Sequence, residues 1–365
     1  MPFNTFNLSD IYGMIKTIFL TLGEVCTMSK PKFVFPMLFL LLFSMLFLSG
    51  CSLKLPVLFP EPVPISNLPA EAIFTDSEEI YQRTVTLLES AKTSIYVEQT
   101  AFDDPRLIQL LIEKSSSGID VRILLDQWQK TNRATLDQLK SQNISIQYYP
   151  AQKGQINHTK YLIIDQKVAM IYGPSWTTDG LLAHDLAVEL SGISAWKCAN
   201  LFSRDWAFTT TFPLKIPRDS SLPDDQIILA TNAKVKQQLT QEISASTTSI
   251  WIEIPEITDL DLIQALNDVA EKGIEVRIIL EQADKGNTPI EKLTSKNITI
   301  RHFPSTSPLG IHMAIFDNAS FMLSSSDWTH YSFIANHEFS ITVPSPSASA
   351  KLGNMYKEDW EKSAK

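Results

Sequence analysis

"TSIYVEQTAFDDPRLIQLLIEKSSSGIDVRILLDQ", Thr93 to Gln127, returns later in the chain as "TSIWIEIPEITDLDLIQALNDVAEKGIEVRIILEQ", Thr248 to Gln282. The two stretches align without a gap at an offset of 155 residues, which carries Gly118 onto Gly273 and Arg122 onto Arg277. The agreement continues through "NISIQYYP" and "NITIRHFP", through "SWTTDG" and "DWTHYS", and ends at "SRDW" and "KEDW". Shared order and spacing over this length mean an internal duplication. Each copy reads as a β-branched strand, an apolar-periodic helix stopped near Gly118 or Gly273, and a second apolar strand. Helices alternating with continuous apolar strands predict an α/β fold, with a mixed sheet covered by helices on both faces in each copy. Two such lobes pack about a pseudo-twofold axis, and open α/β sheets take ligands at the carboxyl ends of their strands, so a shared central cleft is the expected site.

The segment after the first repeat, "INHTKYLIID", sets His158 and Lys160 two residues apart, on one face of an extended chain. An imidazole and an ammonium side by side suit an anion: the imidazole can attack phosphorus or shuttle a proton, and the ammonium can neutralise non-bridging oxygens. Asp165, further along, is better placed to set strand or ring geometry than to attack. Taken alone, the triplet could equally be a solvated strand end. The equivalent stretch of the second copy, "LGIHMAIFD", is altered.

"HTKYLIID" fits H-x-K-x-x-x-x-D, and together with "YGPSWTTDGLLAHDLAVEL" and "SSSDWTHYSFIANHEFSI" it resembles the phospholipase D superfamily over nearly everything after Ala70. The resemblance implies two duplicated phospholipase D-like α-β-α sandwich lobes, one histidine forming a phosphohistidine and the other acting as general acid, with no metal or cofactor. Carried over by position, His158 is the nucleophile, Lys160 a phosphate ligand and Asp165 the orienting carboxylate. The first copy departs from the pattern with Gly173 at the serine position, Ser175 at the asparagine position and Asp185 one residue before the glutamate position. The second holds Gly310 where a histidine belongs and His312 where a lysine belongs, but keeps Ser325 and Glu338, with Asp327 replacing asparagine. Ser175, Asp185, His312, Ser325, Asp327 and Glu338 are therefore the expected substrate-binding set. At about 3.3 Å per residue, His312 lies roughly 6.5 Å along the strand from the missing histidine, which makes it a pocket or surface residue rather than a replacement acid. His184 and His337 precede the two acidic positions and suggest a repeated structural role. Trp176 and Trp328 read as core.

A chain of 365 residues that is 44% hydrophobic can bury a large core, and its net charge of −9 argues against avid, sequence-independent binding to nucleic acid. "MSKPKFVFPMLFLLLFSMLFLSGCS" has two lysines, an apolar run from Phe33 to Leu48, and small residues before Cys51. The run is shorter than the roughly 20 residues of a spanning helix and reads as a secretory signal. The small residues before the cysteine resemble the bacterial lipoprotein cleavage box, which implies a diacylglycerol on Cys51 and an exported, lipid-anchored protein of the cell envelope. Translation is expected to start at Met28. Cleavage leaves Cys198, a small apolar residue in a helix, as the single thiol. The divisions expected are a leader over residues 1–51, a Pro-rich linker over 52–70, one lobe over 71–217 and a second over 224–365.

The functions that follow are a membrane-tethered phosphodiesterase or phosphatidyltransferase acting on a phospholipid or other phosphodiester through His158, or an inert relative that binds phosphate-bearing ligands or an envelope partner. A nuclease shares the chemistry but fits the acidic balance less well. Because the duplication supplies its own pseudo-dyad, a monomer is favoured over a homodimer.

Overall fold

Each half of the chain builds one seven-stranded mixed sheet in the computed structural model, which describes residues 65–281, 289–304 and 308–364. The expected leader, Cys51 and residues 52–64 of the linker lie outside the described residues. The first sheet comprises β1 (Ile73–Phe74), β2 (Ser94–Gln99), β3 (Asp120–Asp126), β4 (Ser145–Tyr149), β5 (Tyr161–Ile164), β6 (Val168–Tyr172) and β7 (Ala187–Ser191), in the order β1-β7-β6-β5-β2-β3-β4. The second comprises β8 (Ile228–Thr231), β9 (Ser249–Ile254), β10 (Glu275–Leu280), β11 (Ile298–His302), β12 (Met313–Phe316), β13 (Ser320–Ser324) and β14 (Phe339–Val343), in the matching order β8-β14-β13-β12-β9-β10-β11. In both, the first three long strands run parallel and the rest antiparallel. The parallel pairs are joined by crossover helices, α2 (Pro105–Ser116) and α3 (Asn132–Ser141) in lobe 1 and α6 (Leu260–Glu271) in lobe 2, whereas the antiparallel pairs β5–β6 and β12–β13 are tight hairpins.

Local chemistry sets the helix ends. Asp104 caps α2 by accepting Leu107 N–H at 2.8 Å, with Pro105 in the first turn, and Asp259 caps α6 in the equivalent place. Gly118 and Gly273, after these helices, have φ of +88° and +98°, a region open to glycine at no steric cost.

Strand alternation divides the molecule into three cores. In lobe 1, Ile95, Val97, Leu162, Ile164 and Met170 face outward against α1 (Ser77–Ser90) and α2, while Tyr96, Tyr161, Ile163, Ala169 and Ile171 face inward. Lobe 2 repeats this, with Ile250, Ile252 and Ile254 in its own outer core and Ile315, Phe321 and Ile341 inward. Both inward faces share one central core with α4 (Gly192–Thr210) and α8 (Pro346–Lys362). The two lobes are therefore one packed body, since neither inner face has a core of its own. Cys198 of α4 is buried there, and burial pushes its thiol well up. Trp176 and Trp328 are buried in the outer cores, as packing rather than platforms. Among the described residues, no helix is long and apolar enough to cross a membrane.

Candidate active site

The lobes meet through two reciprocal backbone bridges. Asn157 pairs with His337, with His158 N–H donating to His337 C=O at 2.9 Å and His337 N–H to Ile156 C=O at 2.9 Å. Leu309 pairs with His184 in the same way, with Gly310 N–H donating to His184 C=O at 3.2 Å. Each lead-in to the motif strand (β5 or β12) is thus stitched to the start of the last strand of the opposite lobe. His158 comes to lie beside Glu338, and Gly310 beside Asp185.

The first half-site is complete. Nδ1 of His158 lies 2.8 Å from Oε1 of Glu338, whose side chain is fully buried. The other carboxylate oxygen accepts the Ser325 hydroxyl at 2.6 Å, and Asn336 Nδ2 donates to Oε1 at 3.1 Å. A carboxylate only accepts, so His158 carries its proton on Nδ1 and keeps a lone pair on Nε2, on a ring that is 24% exposed. Lys160 is buried nearby; burial lowers its ammonium pKa, opposed by the negative charges of Asp185, Glu338 and Asp327. One imidazole and one lysine side chain thus stand together at the lobe junction.

The second half-site is filled instead of formed. A Cβ on Gly310 would fall 2.5 Å from Asp185 Oδ2, and a Cβ on Gly173 would fall 1.7 Å from Asp185 Oδ1. The carboxyl of Asp185 thus occupies the space that the missing histidine and serine side chains would enter. Burial pushes it up to about 6 against the pull of Lys160, and Leu186 N–H donates to its Oδ1 at 2.8 Å. The one-residue displacement of Asp185 expected from sequence counting is corrected by the strand register. Gly173 N–H bonds Leu186 C=O as Ser325 N–H bonds Phe339 C=O, both at 2.9 Å, so Asp185 and Glu338 are structural equivalents and the loop absorbs the difference.

His312 replaces the second lysine. Its Nδ1 lies 2.8 Å from Gly310 C=O and its Nε2 lies 3.2 Å from Asp327 Oδ1. Burial works against the charge on His312, but Asp327 prevails and raises its pKa; burial likewise opposes the charge on Asp327, and His312 holds it low. Asp327 is therefore matched by a cation, not a bare charge facing an incoming phosphate.

Two expected residues fall elsewhere. Asp165 sits in the β5–β6 turn at φ 52° and accepts N–H bonds from Lys92, Thr93 and Ser94 at the start of β2, the shortest at 2.7 Å. Burial opposes its charge, but those bonds lower its pKa, and Asp317 is held identically by Thr247, Thr248 and Ser249. The carboxylate that orients the His158 ring is Glu338 of the other lobe, not Asp165. Ser175 is half-buried on the loop after β6 and takes no part in the hydrogen bonds that build the His158 site.

Sequence reasoning passed over Asn336 and Asn232, whose Oδ1 accepts Glu338 N–H at 3.1 Å. It also passed over Glu98, which breaks an apolar strand and recurs as Glu253 at the same offset of 155 residues. Glu98 is buried between Asn157 Nδ2 at 2.7 Å and Tyr161 OH at 2.8 Å, and burial, with Asp205, pushes it up to about 8. His184 and His337 do play a repeated role: their ring nitrogens meet Asp359 at 2.9 Å and Asp205 at 3.2 Å.

Two duplicated α/β lobes that join a histidine and lysine of one to a glutamate of the other define a phospholipase D-like protein. A family model described as "Cardiolipin synthase, PLD-like domain" matches the chain twice, at residues 84–206 and 239–360, and the chain belongs to that family. A cardiolipin synthase of Clostridium perfringens (strain SM101 / Type A) is 23% identical over 246 residues, covering 57% of this chain and 52% of the relative. The chain thus spans about half the length of that relative. A Bacillus subtilis (strain 168) protein named probable cardiolipin synthase YwiE is 22% identical over 337 residues, covering 80% of this chain and 66% of its own. Among solved structures, phosphatidylserine synthase of Haemophilus influenzae Rd KW20 superposes with a TM-score of 0.62 at 13% identity, over 81% of this chain and 89% of that one. Polyphosphate kinase of Porphyromonas gingivalis gives 0.59 at 14% identity, over 76% and 44%. At these identities, the superpositions speak for the fold alone.

Proposed function

We propose that the chain is a membrane-tethered phosphatidyltransferase or phosphodiesterase that works on phospholipid through a phosphohistidine at His158. The observation that carries this reading is the His158–Glu338–Ser325 chain across the lobe junction, with Lys160 beside it. Glu338 fixes the tautomer, so Nε2 of His158 attacks phosphorus while the P–O bond to the leaving alcohol breaks, and Lys160 offsets the charge gained by the non-bridging oxygens. A second alcohol or water then attacks the phosphohistidine and restores the free imidazole. The names of the relatives favour a phosphatidyl group as the transferred unit, and a lipid on Cys51 would hold the cleft at its substrate.

The second half-site has no histidine where the acid and base of this cycle belong, which costs a rate factor of about 10²- to 10⁴-fold. Without the acid the leaving alkoxide takes its proton from water and the adduct forms slowly; without the base its discharge is slowed as well, and the adduct is expected to be detectable when discharge is the slower step. The test is incubation of the mature protein with phosphatidylglycerol vesicles, followed by mass spectrometry of the His158 peptide and product analysis. An adduct and slow turnover in wild type, both absent in His158→Ala, support the reading; equal turnover in the two proteins sinks it. Asp185 filling the vacated space favours a second reading, binding of phosphate-bearing lipid without turnover, for which vesicle binding with no adduct is the expected outcome.

A further inference from the structure

The duplication left two related polar clusters in the central region, and they differ in one respect. In the first, Glu98, Asp205 and His337 are knit into hydrogen bonds: both oxygens of Glu98 accept, from Asn157 and Tyr161, and His337 Nδ1 lies 3.0 Å from Asn232 Oδ1. In the second, Glu253, Asp359 and His184 occupy the equivalent places, with one ligand atom of each lying within 4.8 Å of the others. The positions that serve Glu98 now hold apolar residues, since Leu309 stands for Asn157 and Met313 for Tyr161 in the strand register. Glu253 is wholly buried, and among the described residues neither of its carboxylate oxygens has a hydrogen-bond partner. Burial pushes the pKa of Glu253 well up, and a carboxyl group left without partners inside the protein costs several kcal/mol, which a bound cation would offset.

We propose that His184, Glu253 and Asp359 form a binding site for a zinc ion that clamps the two lobes together. His184 comes from the bridge segment three residues before β7 in lobe 1, and the two carboxylates come from β9 and α8 of lobe 2. His184 Nε2 is 2.9 Å from Asp359 Oδ2 and 4.0 Å from Glu253 Oε1. Ligand atoms about 2.0 Å from a tetrahedral zinc stand roughly 3.3 Å apart, so shifts under about 1 Å close the site. One imidazole and two carboxylates suit zinc, and two negative charges match a divalent ion. Binding releases to solvent the Nε2 proton of His184 and any proton held on the buried carboxyl of Glu253, because metal ligands must be unprotonated. The His184 side chain is 25% exposed, giving an entry path and room for a water as fourth ligand, and its ring stacks on Phe303 at 5.1 Å. Lys362 lies 3.2 Å from Asp359 Oδ1, the carboxylate oxygen turned away from His184. The site uses none of His158, Lys160 and Glu338, and Asp185 stands between it and Lys160 in charge coupling.

The test uses the full chain, stripped with chelator and titrated with zinc chloride, with calorimetry and elemental analysis as readouts and thermal melting beside them. One equivalent of zinc with a raised Tm is expected, lost in His184→Phe and in Glu253→Leu but kept in Glu98→Gln. Glu253→Leu replaces an unpaired buried carboxylate by an apolar group and folds without metal. Leu309→Asn with Met313→Tyr gives Glu253 the donors of its counterpart and should abolish zinc binding without touching a ligand. No bound equivalent, or one that survives His184→Phe and Glu253→Leu, overturns the proposal.

Discussion

If Asp185 fills the place of the lost histidine, a methyl group added at Gly310 must cost stability only while Asp185 is present. The added Cβ would meet Oδ2 of Asp185 at 2.5 Å and its Cγ at 3.0 Å, against a Cβ contact of 3.3 Å once the carboxyl is removed. The carboxyl would have to withdraw by roughly 0.7 Å or more, and it is held on its other side by Gly173 and by the Leu186 N–H bond. Overpacking of this kind costs about 1–3 kcal/mol. A double-mutant cycle isolates the effect: wild type, Gly310→Ala, Asp185→Ala and the double variant, each unfolded in urea and followed by circular dichroism. The expected coupling is about 1–3 kcal/mol in the direction that Asp185→Ala relieves Gly310→Ala, and the loss of charge near Lys160 cancels across the cycle. Costs that add to within about 0.5 kcal/mol would refute the reasoning. By the same argument, the paired replacement of Gly310 by His and His312 by Lys cannot rebuild the second half-site alone, since the histidine has nowhere to stand.

Exchange of the four positions that answer to Ser325, Glu338, His158 and Lys160 in the second half-site, Gly173→Ser, Asp185→Glu, Gly310→His and His312→Lys, should raise turnover on phosphatidylglycerol vesicles by about 10²-fold or more, read as initial rate. Glu338→Gln keeps a neutral acceptor but loses the charge that stabilises an imidazolium at His158; kcat should fall much more than KM rises, and the acid limb of the pH–rate profile should move. Asp165→Ala should cost about 2–3 kcal/mol in urea unfolding, because it frees the N–H groups that anchor β2. The pKa of Asp165 is lowered on folding, so its contribution is present above the unfolded carboxylate value and is lost as pH falls through the lower folded value; an acid titration followed by circular dichroism should show a shallower stability loss in the variant. Tyr161→Phe leaves one Glu98 oxygen buried and unpaired, and should cost about 1–3 kcal/mol by the same unfolding assay.

The duplicated lobes were legible because the signal is periodic and long: the 155-residue offset, the repeated glycine helix stops and the alternating apolar strands agree at every step. His158 and Lys160 stood out by their spacing, and Ser325 and Glu338 followed only from the resemblance to the phospholipase D superfamily; the contact among them could not be read, since it depends on the Asn157–His337 bridge between segments 180 residues apart. Asp165 misled for a related reason. A carboxylate at a fixed distance along a strand looks like a partner for the histidine before it, yet the turn at φ 52° carries it to the far end of the strand and into the β2 backbone. Glu98 and Glu253 had a sequence signal, a charge inside an apolar strand, and their meaning appeared only once the inward face of each sheet was known.

The altered half of the duplicated site is explained by the contacts among its own altered residues. With no histidine at Gly310, the acidic residue opposite it loses the partner that held it as His158 holds Glu338. A buried carboxylate without a partner is costly, and it is relieved by moving toward the remaining cation, Lys160. That movement is open only if the serine at position 173 is also absent, because its Cβ would lie 1.7 Å from the carboxyl oxygen. Gly173, Gly310 and Asp185 are thus sterically coupled, since a Cβ at either glycine would meet the Asp185 carboxyl, and Lys160 has a second carboxylate beside it. The expected consequence is a Lys160 whose charge is shared between Asp185 and the substrate phosphate. Asp185→Ala should therefore bind phosphatidylglycerol vesicles more tightly than wild type; weaker or equal binding would mean that Lys160 was never available to the phosphate.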